Sequence, residues 1–352
     1  KDFVNGDVKK VGKLSKKDSR MVKTMEEAGV THKEAGKGTG EDYDYNSGNY
    51  IPSKGTKVVV VKKLTQAMID DDMFPAVLGG YRDNEESINN GVRLGTMLGK
   101  KLQVRGESRE TKWTRKDTGR IDKRLIAELG FGNNRVFSTS FVESYSDAIL
   151  HISIDASGSM SGDKWNNTIT SVVAICKATS MIQNVDVVVS FRSTHDTYNR
   201  YSRRGGGDSY PLILVGYDSR VDKFSKITRM WKRIHPGGTT PEGLCFEAIM
   251  DEIIPTTNDR DSYFLNFSDG MPMFSNSSVT YYHGDALNHT RRMVNEIRTR
   301  GIKVLSYFVG DSYDNERYIG DFKRMYGKDA EFIDVTSVMS VSKTMNKKFL
   351  EK

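Results

Sequence analysis

The chain has 352 residues, enough for about two domains, with 37% hydrophobic and 28% charged residues. It holds no run of about 18 apolar residues, so no membrane-spanning helix is predicted, and its Lys-rich start lacks the apolar segment of a signal peptide. A formal net charge of +7 permits acidic partners. The cations are spread along the chain rather than gathered among aromatics, which favours an ordinary solvated surface over a nucleic-acid interface.

Three composition-level exclusions narrow the chemistry. Cys176 and Cys245 lie in apolar helical patterns and read as two buried, reduced thiols of a cytoplasmic protein. Two cysteines and six scattered histidines supply no closed zinc site. Gly36-Lys37-Gly38-Thr39-Gly40 lacks both the spacing of a phosphate loop and a strand before it, so it is read as a flexible linker.

Taken in chain order, residues 1–55 are expected to be a flexible basic arm, poor in aliphatic residues, with a short helix over Lys16 to Ala28 stopped by Gly29. Residues 56–146 form a small α+β unit. It comprises a Val58–Val61 strand, an amphipathic helix from Ser87 to Val104 carrying Ile88, Val92, Leu94, Met97, Leu98 and Leu102, a short helix from Ile121 to Leu129, and a strand from Arg135 to Glu143.

From 147 to 352 strands and helices alternate. Strands are expected at Ala148–Ile154, Val185–Phe191, Leu212–Val215, Tyr263–Phe267, Ile302–Val309 and Ala330–Ile333. Helices are expected at Lys164–Met181, Val221–Ile234, Pro241–Ile253, Asp285–Arg300, Glu316–Met325 and Val335–Leu350. This alternation predicts an α/β fold: a doubly wound, mainly parallel sheet with helices on both faces, of the Rossmann-like kind.

The chemistry gathers at three turns of that last region. Asp155-Ala156-Ser157-Gly158-Ser159 directly follows the first strand, where the carboxyl ends of a doubly wound sheet form a ligand crevice. One carboxylate and two hydroxyls thus share a tight turn before a helix that Ser161 or Asp163 is expected to cap. Gly237-Gly238-Thr239-Thr240-Pro241 is a Gly-rich loop feeding a second helix, and Phe267-Ser268-Asp269-Gly270 is an apolar strand ending in an acidic turn.

Other candidates fare worse. Asp311 to Glu316 has a calcium-loop flavour but lacks the Gly and the distal Glu. His195, His235, His283 and His289 read as ordinary surface histidines. Ser157 has no adjacent base that would make it a nucleophile, and no catalysis by this chain is expected.

Together the three pieces resemble the metal-ion-dependent adhesion site of von Willebrand factor type A domains, whose pattern is Asp-x-Ser-x-Ser, a loop Thr and a later Asp. The resemblance implies a divalent ion, Mg²⁺ or Mn²⁺, with Ser157, Ser159 and Thr240 as hydroxyl ligands. Thr240 is preferred to Thr239 because it stands before Pro241. Asp155 and Asp269 would act through water or by orienting the ligands. Such an ion keeps a face for a carboxylate of a protein partner.

The run Thr118-Gly119-Arg120-Ile121-Asp122-Lys123-Arg124-Leu125, with Val136-Phe137 after it, looks like the segment before the metal site in the T subunit of aerobic cobaltochelatase. That likeness implies an adaptor of a MoxR-class AAA+ ATPase rather than the chelating subunit. The acidic segment of the T subunit is reduced here to Glu41-Asp42-Tyr43-Asp44, and the loops Arg200 to Asp208 and Asn276 to His283 have no counterpart in it. The alternative is a stand-alone adhesion or virion assembly protein using the same site.

Overall fold

The computed structural model describes residues 15–39, 41–44, 49–79, 83–106, 109–143, 147–182, 185–196, 208–250, 260–310, 316–327 and 330–334. The expected terminal helix 335–350, the acidic turn 311–315 and most of the loop 200–208 lie outside these residues.

Helix α1 (Lys16–Glu27) is capped by Ser15, whose hydroxyl accepts from the Asp18 N–H at 3.1 Å. It leads through Gly29, at φ +62°, into strand β1 (Val30–Ala35). A hairpin of β2 (Glu41–Asp44) and β3 (Asn49–Pro52) follows, then β4 (Thr56–Val61). After β4 come α2 (Gln66–Asp70), α3 (Pro75–Leu78) and the long α4 (Glu85–Gly106). Strands β5 (Arg109–Lys116), β6 (Arg120–Ile121) and β7 (Phe137–Glu143) make a separate three-stranded sheet. A 3₁₀ turn at Ile126–Phe131 sits between β6 and β7, where a short α-helix was expected.

The remaining elements are β8 (Ala148–Asp155), α5 (Asp163–Thr179), β9 (Val185–Asp196), β10 (Ser209–Asp218), α6 (Ser225–Met230), α7 (Glu242–Ile249), β11 (Asp261–Ser268), the pair β12 (Phe274–Ser275) and β13 (Thr280–Tyr281), α8 (His283–Thr299), β14 (Lys303–Gly310), α9 (Glu316–Tyr326) and β15 (Ala330–Asp334). The central sheet runs β1-β4-β10-β9-β8-β11-β14-β15. Pairing is parallel from β9 through β15 and between β4 and β10, and antiparallel at β9–β10 and β1–β4. This is the doubly wound α/β architecture expected from the alternation of strands and helices.

Each sheet face carries its own core. Leu150, Ile152 and Ile154 of β8 and Leu265 and Phe267 of β11 pack with residues of α4, α5 and α6 on one face. Phe264, Val188 and Val60 pack with residues of α7, α8 and α9 on the other. Cys176 is in the first core and Cys245 in the second, so the sheet separates the two free, buried thiols, and burial pushes both pKa values up.

The segment before residue 147 differs from expectation. Val58–Val61 is a buried strand of the central sheet, not of a separate unit, because its four valines pack alternately into the two cores. Within the expected arm, β1 pairs with β4 over six residues, and α1 buries Met25 against the first core. The expected linker around Gly36 to Thr39 is a turn whose Gly36 N–H donates to Glu247 of α7 at 2.7 Å.

Helix α4 follows its expected apolar face only in part. Ile88 is buried in the first core and Val92 packs against it, Met97 is exposed, and the buried Gly91, Gly95 and Gly99 let the backbone of α4 approach α5. A Cβ on Gly95 would stand 2.5 Å from the Ala174 carbonyl oxygen and 2.7 Å from the Lys177 Cβ. Gly95→Ala gains up to about 1 kcal/mol of helix propensity, but the forced separation costs about 1–3 kcal/mol. Urea titration should therefore show a net loss for Gly95→Ala. Gly320→Ala, in α9 with nothing within 4 Å, should gain stability instead. Equal effects at the two positions would show that α4 does not dock on α5 in this way.

Candidate metal centre

Strand order reverses around β8, which has β9 on one side and β11 on the other. The crevice at the carboxyl ends of β8 and β11 is therefore the switch point of the fold. Asp155 is the last residue of β8, and Ser268 ends β11 with Asp269 directly after it, so the sheet register itself brings the two acidic turns side by side.

Asp155 is fully buried. One carboxylate oxygen accepts the Ser157 N–H at 2.9 Å, and the other accepts the Ser268 hydroxyl at 3.0 Å. From there a chain of oxygens leads outward. The Ser157 and Ser159 hydroxyls are 3.0 Å apart, and Ser159 donates to Asp269 Oδ1 at 2.9 Å. Lys164, one residue into α5, pairs with Asp269 Oδ2 at 3.4 Å. The α5 start has no side-chain cap: Gly162, at φ +83°, precedes it, and neither Ser161 nor Asp163 fills that role.

The Gly-rich loop is laced to this turn through its backbone. Gly237 N–H donates to Ala156 O at 2.8 Å, and Gly158 N–H donates to Gly238 O at 3.1 Å. No side chain fits at either loop glycine. A Cβ at Gly237 would meet Ala76 O at 2.2 Å, and one at Gly238, with φ +76°, would meet Thr194 Oγ1 at 2.2 Å.

Thr240 is buried and forms a two-way backbone bridge with Met273, at 3.1 and 2.8 Å, just beyond the Asp269 turn. The Thr239 N–H donates to Thr194 at 3.2 Å, while its own hydroxyl is buried with no hydrogen-bond partner among the described residues. Pro241 precedes α7 as its N-terminal flank rather than standing inside it. Asp155, Ser157, Ser159 and Asp269 are thus joined directly, and Thr240 is tied to them through the loop backbone.

The donor set is all oxygen and mostly hydroxyl. Among the described residues no group of three or more His, Cys, Asp and Glu side chains is placed to hold an ion. A hard divalent cation fits these atoms. Burial pushes the Asp269 carboxyl up to about 6, reinforced by the Asp155 charge and opposed by Lys164 and Ser159.

Two charged residues beneath the site escaped the sequence reading. Arg192 on β9 stands opposite Asp155 in the register, and Glu242 opens α7. Both side chains are almost wholly buried, and they form an ion pair. The reading ended β9 at Phe191, although Arg192 continues the even-numbered face of Val188 and Ser190. His151 lies on that face of β8, hydrogen-bonded to Ser190 at 2.9 Å; burial foremost, with Arg220 adding to it, pushes its pKa down to about 3. His289 is likewise buried, 3.1 Å from Glu247, rather than on the surface. His195 meets Phe74 edge-on at 5.0 Å.

No known family profile matches the chain. It is 24% identical over 237 residues to the uncharacterized protein YojO of Bacillus subtilis, covering 66% of this chain and 35% of that one. Among solved structures, it is similar to the pilus adhesin SpaC of Lactobacillus rhamnosus GG (14% identity, 59% of this chain and 30% of that one, TM-score 0.40). It is also similar to manganese-loaded TRAP of Plasmodium vivax (14%, 58% and 74%, TM-score 0.37). A third is proximal thread matrix protein 1 of the mussel byssus, whose metal-ion-dependent adhesion site holds zinc (10%, 58% and 46%, TM-score 0.40). The chain spans about a third of the length of the curated relative it matches.

The raised Asp269 value fixes a pH dependence. In the metal-free fold Asp269 holds its proton up to about pH 6, against about 3.9 in an unfolded chain. The folded state binds more protons across that window, so this group's contribution to stability falls as pH rises from about 4 to 6. Mn²⁺ should therefore raise the melting temperature more at pH 7 than at pH 5, and Asp269→Asn should flatten the metal-free pH profile between those values. An Mn²⁺ shift of equal size at both pH values would contradict this.

Proposed function

We propose that this chain is a type A domain protein that captures a protein partner through a divalent ion, Mg²⁺ or Mn²⁺, held by the hydroxyls of Ser157, Ser159 and Thr240. Asp155 and Asp269 supply negative charge through water and orient the hydroxyls. The observation that carries this reading is the continuous 2.9–3.0 Å chain of oxygens from Ser157 through Ser159 to Asp269, linking turns from two adjacent strand ends.

Charge decides what the ion would attract. Asp155, Asp269 and Glu242 face Arg192 and Lys164 across the centre, one negative charge in excess. A divalent cation would turn that into an excess of one positive charge, and a carboxylate from another protein would neutralise it. Hydroxyl ligands add no charge, so the ion stays electrophilic toward that carboxylate. Octahedral, all-oxygen, partly hydrated coordination is the preference of Mg²⁺.

The partner class rests on the segment before β8. Its likeness to the cobaltochelatase T subunit supports a MoxR-class AAA+ ATPase as partner, with this chain as its adaptor. The same unit exposes Trp113, Ile121, Ile126, Leu129 and Phe131, and exposed large apolar side chains grouped in one small unit suit protein contact. A cytoplasmic setting is in keeping with two buried free thiols. No helix among the described residues is long and apolar enough to cross a membrane.

Capture of a MoxR-class ATPase from the same genome tests this reading. Binding in Mg²⁺ should fall at least about tenfold, roughly 1.4 kcal/mol, with EDTA and with Ser159→Ala, a rim change that leaves the buried Asp155 intact. Equal capture with and without metal would overturn the reading. Metal-dependent capture of a surface or virion protein in place of the ATPase would assign the chain to adhesion or assembly.

A further inference from the structure

We infer that the buried Arg192–Glu242 pair is a positioning device for the metal centre: one guanidinium ties together the roots of the three turns that would carry the ligands. This inference rests on the metal reading of the site.

The geometry is specific. Arg192 Nη1 donates to the Ser153 hydroxyl at 2.8 Å, two residues before Asp155. Its Nη2 donates to the Phe267 carbonyl at 3.2 Å, two residues before Asp269, and to Glu242 Oε1, two residues after Thr240. The Arg192 backbone carbonyl accepts the Ala156 N–H at 2.8 Å, between Asp155 and Ser157. Asn266, also on β11, donates to the same Glu242 oxygen at 3.2 Å. The guanidinium lies 5.2 Å from the centre of the Phe246 ring. Each of these hydrogen bonds of Arg192 thus ends within two residues of a site residue, and these bonds run to β8, β11 and α7.

The chemistry accounts for the use of arginine. A guanidinium offers five donors in a rigid plane, so it can hold acceptors from several elements at once, whereas an ammonium is a compact point charge. Burial opposes the Arg192 charge, but Glu242 and Asp155 outweigh it and raise its pKa. Burial raises the Glu242 pKa against the pull of Arg192.

A buried ion pair is not needed for stability as such, because well-packed apolar residues of similar volume often replace one without loss. Arg192 Nε also has no hydrogen-bond partner among the described residues. Stability alone therefore explains this pair poorly, and fixing the spacing of the three turns explains it well.

Mn²⁺ titration followed by electron paramagnetic resonance, alongside melting of the metal-free proteins, tests the inference. Wild-type binding that Ser159→Ala abolishes establishes the site itself. The double variant Arg192→Met/Glu242→Met should then keep the metal-free melting temperature but bind Mn²⁺ roughly 10–100-fold more weakly, as when supporting partners of ligands are lost.

Arg192→Lys keeps the charge but not the fork, and should also weaken binding at least about tenfold. It serves as the decisive variant if the double variant does not fold. Wild-type Mn²⁺ affinity in either folded variant would overturn the inference while leaving the metal site standing. Absence of Mn²⁺ binding by the wild type would overturn both.

Discussion

The rest of the structure depends on one constraint: a carboxylate, Asp155, is buried completely at the fork of a parallel sheet. An isolated charge in that position is costly. The fold compensates it with the Ser157 N–H, the Ser268 hydroxyl and the nearby Arg192 charge. Each compensating group comes from a different part of the crevice. Holding Asp155 therefore fixes the β8 turn, the end of β11 and the middle strand β9 relative to one another. Asp269 completes the arrangement from the partly solvated side, where Lys164 offsets its charge.

Sheet alternation explains why the polar groups gather where they do. Along β8, Leu150, Ile152 and Ile154 face one core, while His151, Ser153 and Asp155 take the other face. The same alternation places Ser190 and Arg192 on β9, and Asn266 and Ser268 on β11, toward α7. A polar seam thus runs under the crevice, with apolar residues such as Val188 and Phe264 at its inner end. Because α7 begins directly after the Gly-rich loop, its first residue, Glu242, lands on the seam. A network of this kind rigidifies a site when its members are paired.

The outward parts of this design were legible from sequence, and the inward parts were not. Asp155, Ser157, Ser159, Thr240 and Asp269 stand in short motifs after apolar strands, and such motifs mark crevice turns locally. Arg192 carries no such mark. A charged residue after an apolar run reads as the end of a strand, and only its cross-strand neighbour Asp155 gives it a reason to be buried. The glycines of α4 were missed for a related reason: the apolar period marked the helix, but Gly91, Gly95 and Gly99 carry no side chain to mark where it docks on α5. Strand β4 was placed in a separate unit, and β1 within a flexible arm, because β10, the partner of β4 in the main sheet, lies about 150 residues further along the chain, and long-range pairing leaves no local trace.

What the arrangement can do follows from its charge and its donors. The turns after β8 and β11 bring hydroxyl and carboxylate oxygens together at one rim, and in the proposed reading a divalent ion held there keeps its electrophilicity. The most direct test is a crystal soaked in Mn²⁺, with diffraction collected at the manganese edge. The account predicts a single strong anomalous peak at coordination distance, about 2.0–2.3 Å, from the hydroxyls of Ser157 and Ser159, with Thr240 direct or one water away. A well-ordered crevice with no peak there, or a peak held by other residues, would contradict it.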